Sequence, residues 1–174
     1  MALKLSNNVK LRTIDLPRKD FRDFDVDNTT VLNQATNVNA GGTTGPLIDG
    51  EFVVLTTGGK LVRALDAKIA QKPYLVIAGA GRTDTLVTKK ATVYFGPDGF
   101  EFDTQLFGIT AGTGGGNDQF MTPGTALTVG SVSWDGVTYK GALKVAAPGE
   151  PVRAIVVANK ALTGTDYIRV QLAG

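Results

Sequence analysis

The last quarter of the chain repeats apolar residues with a period of two, and this pattern constrains the fold more than any other feature. In 151–158 both sides of an extended chain are apolar, with Val152, Ala154, Val156 and Ala158 on one side and Ile155 and Val157 on the other. In 167–172 only one side is apolar, formed by Ile168, Val170 and Leu172. Such alternation predicts two strands, the first buried on nearly both faces and the second on one. Because Thr163-Gly164-Thr165 supplies a turn, we predict the closing hairpin of a β-domain.

Short apolar runs separated by turn residues continue this pattern upstream. Gly58-Gly59 predicts a hairpin of 51–56 with 60–65, and Asp135-Gly136 predicts a second hairpin. The segment 66–72 is the best candidate for a short helix or crossover, since Pro73 follows it. The other predicted elements are a turn at 96–99 and strands at 74–78, 86–95, 99–107, 126–129, 132–134, 137–139 and 143–146. The predicted fold class is all-β: a small β-barrel or sandwich of short antiparallel strands, with an extended N-terminal arm.

Three regions follow from the distribution of apolar and polar residues. We expect residues 1–27 to form the extended arm outside the compact core, 28–50 to be a linker or long loop, and 51–174 to be the β-rich domain. The net charge of the chain is +2, but its basic residues are in excess in the arm. Residues 1–22 contain six Lys or Arg residues and only two Asp residues.

The arm alternates apolar and basic residues, a pattern that suits strand addition to another sheet. We expect it to bind a partner through its apolar side, with the basic residues setting orientation, and the alternative is a disordered tail with no partner. Deletion of 2–16 would then leave a β-domain that no longer binds this partner. The candidate partner-binding residues are Leu3, Leu5, Val9, Lys10, Leu11, Arg12, Ile14 and Leu16.

The residue types present exclude several kinds of chemistry. The chain contains no Cys and no His, which removes thiolate nucleophiles, Ser-His-Asp triads and the usual zinc sites. We therefore predict no catalytic residue, no cofactor and no metal site, and we expect the protein not to be an enzyme. The run Tyr74–Ala78 is too short to span a bilayer, and the basic residues lack interleaved aromatics, so neither a membrane nor nucleic acid is an expected partner.

Several motifs that imitate functional sites have simpler interpretations. Gly79-Ala80-Gly81-Arg82 and Gly58-Gly59-Lys60 lack the residues of a phosphate loop and indicate loops between strands. Glu101 and Asp103 share one face of a predicted strand, which is typical of a solvated sheet face more often than of an acid/base pair. Asp23, Asp25 and Asp27 lack the central glycine and terminal glutamate of a calcium loop.

Five segments of the chain form a degenerate pattern of short strands with a closing "Pro-Val-x-Ala-Ile-Val" strand. The segments are 50–64 (GEFVVLTTGGKLVRA), 123–129 (PGTALTV), 141–146 (GALKVA), 149–157 (GEPVRAIVV) and 168–172 (IRVQL). With these segments the chain resembles small β-barrel virion proteins of tailed bacteriophages.

This resemblance implies a capsid decoration, or cement, protein. Such a protein binds and stabilises the outer surface of the capsid, is made in the host cytoplasm, and contacts the major capsid protein. It implies a homo-oligomer, with a trimer favoured and a dimer also compatible. The alternatives are a tail or baseplate structural module, and a carbohydrate-binding β-domain that would display aromatic residues such as Trp134 and Tyr139.

Overall fold

The structure is a computed structural model that describes residues 9–11, 20–27, 30, 47–65, 70–78, 90–108, 121–134, 137–159 and 167–173. Strands are the main regular element of these residues. In chain order they are β1 (Val9–Leu11), β2 (Phe21–Asp25), β3 (Phe52–Leu55), β4 (Leu61–Arg63), β5 (Tyr74–Ala78), β6 (Lys90–Tyr94), β7 (Glu101–Thr104), β8 (Phe107–Gly108), β9 (Ala126–Trp134), β10 (Val137–Val145), β11 (Ala154–Ala158) and β12 (Ile168–Leu172).

The strands form two sheets. Sheet A has seven strands in the order β1-β7-β12-β11-β9-β10-β8, and sheet B has five in the order β2-β6-β5-β3-β4. Neighbouring strands are antiparallel except β8 and β10, which run parallel. This parallel pair is the one departure from the predicted all-antiparallel arrangement among the strands described.

The predicted all-β class is confirmed, and of its two alternatives the sandwich is the correct one. Sheet A is open, since its two edges are the short strands β1 and β8. Sheet B curls until Val26 forms a single parallel bridge to Leu61, and the Asp27 N–H donates to the Leu61 carbonyl at 3.1 Å. One bridge does not make a ladder, so a closed barrel is not formed.

The main core lies between the two sheets. Sheet B contributes Phe52, Val54, Ala64, Leu75 and Tyr94, and sheet A contributes Phe102, Phe107, Leu127, Val129, Leu143, Ala154, Val156, Ile168 and Val170. Phe100 stacks on Tyr94 with ring centroids 4.3 Å apart and also lies against Phe102. Offset aromatic pairs contribute about 0.5–1.5 kcal/mol each beyond the area they bury, so this cluster helps to hold the two sheets together.

Sheet B also buries its other face, where a second core forms. Val53, Leu61, Val76, Ala91 and Val93 pack there with Val26 and Leu47. These strands are therefore apolar on both sides, which explains the continuous runs Phe52–Leu55 and Tyr74–Ala78 in the sequence.

All three predicted hairpins are present. β3 pairs with β4 around a turn in which Gly59 has φ of 73°, β9 pairs with β10 from Trp134 opposite Val137, and β11 pairs with β12. The segments predicted as four short strands form the two longer strands β9 and β10 instead. Gly141, which interrupts the pattern, stays in the ladder as a bulge with φ of 67°, and a Cβ there would lie 2.7 Å from the Phe52 carbonyl oxygen.

The N-terminal segment contributes strands to this chain's own sheets. β1 pairs with β7 in sheet A, and β2 pairs with β6 in sheet B. Leu47, Asp49 and Gly50, in the segment expected to be a linker, are buried. This placement differs from the expectation that residues 1–27 lie outside the compact core. The domain boundaries at residues 27 and 50 stay a prediction. The proposed helix at 66–72 falls largely outside the described residues, and 70–73 are not helical.

Candidate interaction surface

Three exposed aliphatic side chains lie close together along β11 and just before it. Val152, Ile155 and Val157, which we call the apolar strip, are each 36 or 37 % exposed. Within the described part of the chain only one other large hydrophobic side chain, Leu65, is equally exposed. Single exposed aliphatics are ordinary, whereas contiguous apolar patches are a feature of surfaces that bind a partner.

The strand register places Ile155 and Val157 on the outer face of sheet A, and Val152 lies just before the strand. Ile155 is opposite Gln171 of β12 and Ala126 of β9, while Ala154 and Val156 point into the core. Val156 pairs with Val170 and Ala158 with Arg169, so Val157 is the extra residue of a β-bulge. The apolar strip is therefore flanked by polar residues of β12.

This arrangement corrects the prediction that the strand 151–158 is buried on nearly both faces. Ala154 and Val156 are buried, but Ile155 and Val157 are exposed. In the sequence Arg169 and Gln171 form the polar side of the paired strand, but the residue of 151–158 that lies opposite each of them is known only from the register in the structure. Residues that are opposite each other in an antiparallel pair share a face, so Ile155 had to lie on the same side as Gln171.

Next to the strip, a partly buried ion pair joins β7 and β12. Arg169 Nε donates to Asp103 Oδ1 at 3.0 Å, and the Asp103 side chain is 1 % exposed. Glu101, on the same face, is opposite Gln171 and is half-buried. The expectation of a solvated carboxylate pair is therefore wrong for Asp103. Because Asp103 is ion-paired and enclosed and Glu101 is half-buried, we interpret these two carboxylates as part of the contact between strands.

The predicted partner-binding residues of the arm lie partly in β1. Val9, Lys10 and Leu11 are opposite Thr104, Asp103 and Phe102 in β7. Strand addition therefore occurs, but to the sheet of the same chain. Binding of the arm to a different molecule stays a prediction. Leu3, Leu5, Arg12, Ile14 and Leu16 lie outside the described residues.

A second buried ion pair stabilises the start of β3. Arg63 Nε donates to Glu51 Oε1 at 2.9 Å, both side chains are 5 % exposed, and the Ile48 N–H donates to Glu51 Oε2 at 3.0 Å. Burial raises the pKa of the Glu51 carboxyl, and the nearby Arg63 partly offsets this effect. The sequence analysis did not single out this pair, because twelve residues and a turn separate its members.

The three N-terminal aspartates do not converge on one point. Asp23 accepts a hydrogen bond from the Thr92 hydroxyl at 2.6 Å, and Asp27 accepts one from the Thr30 N–H at 3.1 Å. The hydrogen bond from the Thr30 backbone lowers the pKa of Asp27. Within the described ranges, no three His, Cys, Asp or Glu side chains are grouped so that they could hold a metal ion.

Aromatic side chains on the outer face of sheet B contact one another. Tyr74 stacks on Phe95 at 4.6 Å, Phe24 tilts against the same ring, and the Arg22 guanidinium lies 4.5 Å from its centroid. A sugar platform needs open aromatic faces, whereas these rings are in contact with each other and with a cation. This cluster therefore gives no support to the carbohydrate-binding alternative. Tyr139 is half-buried against Leu106, Val132 and Ala142, and the side chain of Trp134 lies outside the described set.

Of the two motifs that resemble phosphate loops, only one lies among the described residues, and it forms a turn. Gly58-Gly59-Lys60 forms the β3–β4 turn, closed by a hydrogen bond from the Thr56 N–H to the Lys60 carbonyl at 2.8 Å. Gly79–Arg82 lies outside the described residues. A cleft between Lys72, Arg153 and Leu172 has a volume of about 10 Å³, enough for about one water molecule. A cleft of this size does not accommodate an organic substrate.

No protein-family model matches the chain, and no match is found among curated proteins or among solved structures. In the parts of the chain that the structure describes, no helix has both the length and the apolar character needed to cross a membrane. The arguments about function therefore come from the residues and the geometry described above.

Proposed function

We propose that this protein is a structural virion protein that binds and stabilises the outer surface of a phage capsid as a decoration, or cement, protein. The observation that carries the proposal is the apolar strip, in which Ile155 and Val157 are exposed on β11 of sheet A and Val152 is exposed just before that strand. The resemblance of the strand segments to phage virion proteins indicates that the apolar strip would contact the surface of a capsid.

The chemistry of the described residues supports binding rather than turnover. The enclosed carboxylates of Glu51 and Asp103 are each paired with an arginine, and the more accessible Glu150 pairs with Lys144 at 2.8 Å. Paired groups of this kind rigidify a surface. Each copy would bind weakly through a small apolar contact, and many copies on a lattice would together give a stable coat.

Localisation tests the proposal directly. Particles from the culture that produces the chain would be banded on a density gradient and labelled with gold-conjugated antibody against it. The expected result is co-banding at a fixed ratio to the major capsid protein, with gold on the heads. Label on the tails would favour the tail or baseplate alternative, and a chain found wholly outside the particles would overturn the proposal.

A variant pair tests whether the apolar strip is the contact. Particles stripped of the chain would be re-coated with purified wild type, with the double variant Ile155→Thr/Val157→Thr, or with Leu65→Thr. Threonine keeps the β-branched shape, so the fold should be retained in the double variant while its affinity falls about tenfold or more, because two apolar contacts are lost. Leu65 is equally exposed but lies beyond β4 in sheet B, so its variant should coat as the wild type does. Equal coating by both variants would exclude the strip as the contact.

A further inference from the structure

We propose that the edge of β7 is an exchangeable slot, filled by β1 of the same chain in the isolated protein and by β1 of a second copy in an assembly. The second copy is the partner because the segment that fits the slot belongs to this chain. Exchange of an identical element between copies is a low-cost route to an oligomer. The inference requires only that two copies meet, so it does not depend on the proposed virion role.

The burial of β7 shows that the slot needs an occupant. Phe102, Asp103 and Thr104, the residues opposite β1, are 0 %, 1 % and 1 % exposed. Glu101 lies in the same strand just beyond the end of β1, and it is only half-buried. The fully buried residues of β7 are therefore the same residues that pair with β1. An empty slot would expose the backbone edge and the enclosed carboxylate of Asp103, which favours capture of any available β1.

The register of the slot makes it specific for β1. Asp103 accepts a hydrogen bond from Arg169 in β12. In the register of β1 with β7, Lys10 is the residue opposite Asp103. A slip of one residue would place Val9 or Leu11 opposite the buried carboxylate instead of a cation. Opposite charges in neighbouring strands favour the correct register, and the same register would form whether β1 comes from its own chain or from a second one.

Release of β1 costs little because it is short. Its ladder spans only the three residues Val9–Leu11, so few backbone hydrogen bonds are broken when it leaves. The next strand, β2, belongs to sheet B, so β1 forms no hairpin with it that would have to open as a unit. The nine residues 12–20 join the two strands, and fully extended they span at most about 32 Å, a length that permits β1 to reach a neighbouring copy.

The absence of cysteine in the chain allows a direct test by disulfide trapping. Val9 is opposite Thr104, and opposed residues in antiparallel strands lie within the Cα separation that a disulfide requires. The double variant Val9→Cys/Thr104→Cys should form a disulfide within one chain in dilute solution. An equimolar mixture of the single variants Val9→Cys and Thr104→Cys can form a 9–104 disulfide only between chains. The mixture would be concentrated, oxidised mildly and analysed by non-reducing electrophoresis and peptide mass spectrometry.

A matched control uses Ile155→Cys mixed with Gln171→Cys, two residues that are opposed in the β11–β12 hairpin and are not expected to exchange. The expected result is roughly tenfold more 9–104 heterodimer than 155–171 heterodimer, because strand pairing raises the effective concentration of the two thiols. If the double variant forms its internal disulfide while the mixture gives no more heterodimer than the control, exchange is refuted. If the double variant forms no internal disulfide, the β1–β7 pairing that the slot requires is itself refuted.

Discussion

Replacing Arg63 with methionine removes the cation that lies 2.9 Å from the buried carboxylate of Glu51. Both side chains are 5 % exposed, so water cannot take the place of the guanidinium. Removing one partner of a buried ion pair leaves an uncompensated charge, which typically costs about 3–5 kcal/mol. In a chain of this size each kcal/mol lost from the free energy of unfolding lowers Tm by about 2–4 °C. We therefore expect Arg63→Met to lower Tm by about 6–20 °C at neutral pH.

The loss of stability should depend on pH in a defined direction. Burial already raises the pKa of Glu51 above its ordinary value of 4.5, and Arg63 is the main influence that lowers it. A carboxyl with a raised pKa in the folded state contributes stability below its unfolded pKa, and this contribution is lost as the pH rises through the folded pKa. Arg63→Met raises that pKa further. The difference in stability between variant and wild type should therefore be largest near pH 7 and should shrink toward pH 4.5.

Urea denaturation of the wild type and Arg63→Met, each measured at several pH values between 4.5 and 7, checks this prediction. Adding Glu51→Gln to the variant removes the buried charge and should restore much of the lost stability. The control is Lys72→Met, because Lys72 and Asp98 form an ion pair whose side chains are 43 % and 44 % exposed, and such pairs contribute about 0–1 kcal/mol. A loss in Arg63→Met that does not vary with pH and is not reduced by Glu51→Gln would refute the reasoning.

Two further pairs of substitutions test features of the packing. Thr128 is buried, and its hydroxyl has no hydrogen-bond partner among the described residues, whereas the buried Thr104 hydroxyl accepts a backbone hydrogen bond at 3.0 Å. By urea denaturation Thr128→Val should stabilise the protein and Thr104→Val should destabilise it, each by about 1 kcal/mol, and a loss in both would contradict the assignment of the unpaired hydroxyl. Gly141→Ala should cost at least about 2 kcal/mol, because its φ is 67° and its Cβ would lie 2.7 Å from the Phe52 carbonyl oxygen. Gly124→Ala, with φ of 90° but open space around the Cβ, should cost only about 1 kcal/mol, so equal thermal shifts for the two glycine variants would exclude the steric explanation.

The amino-acid sequence by itself determined the local elements of the fold. Period-two alternation predicted the closing pair β11 and β12, and Gly-Gly and Asp-Gly turns predicted the hairpins β3–β4 and β9–β10. These predictions succeed because hairpin partners are neighbours in the chain, so their register depends on the turn and on which face is apolar. The sequence also established the all-β class, and the sandwich agrees with one of the two architectures that it predicted.

Only the tertiary structure decided how the hairpins are joined and which apolar residues face solvent. The turn at 96–99 carries the chain from β6 in sheet B to β7 in sheet A, and β7 lies between β1 and β12, strands far from it in the sequence. Ile155 and Val157 lie on the face of sheet A opposite the main core, and the small buried cluster of Leu106, Val132 and Ala142 does not include them, while β3 and β5 in sheet B have a core on each side. Local periodicity shows which residues share a face. It does not show whether another layer covers that face, because the covering residues are distant in the sequence and are brought there only by folding.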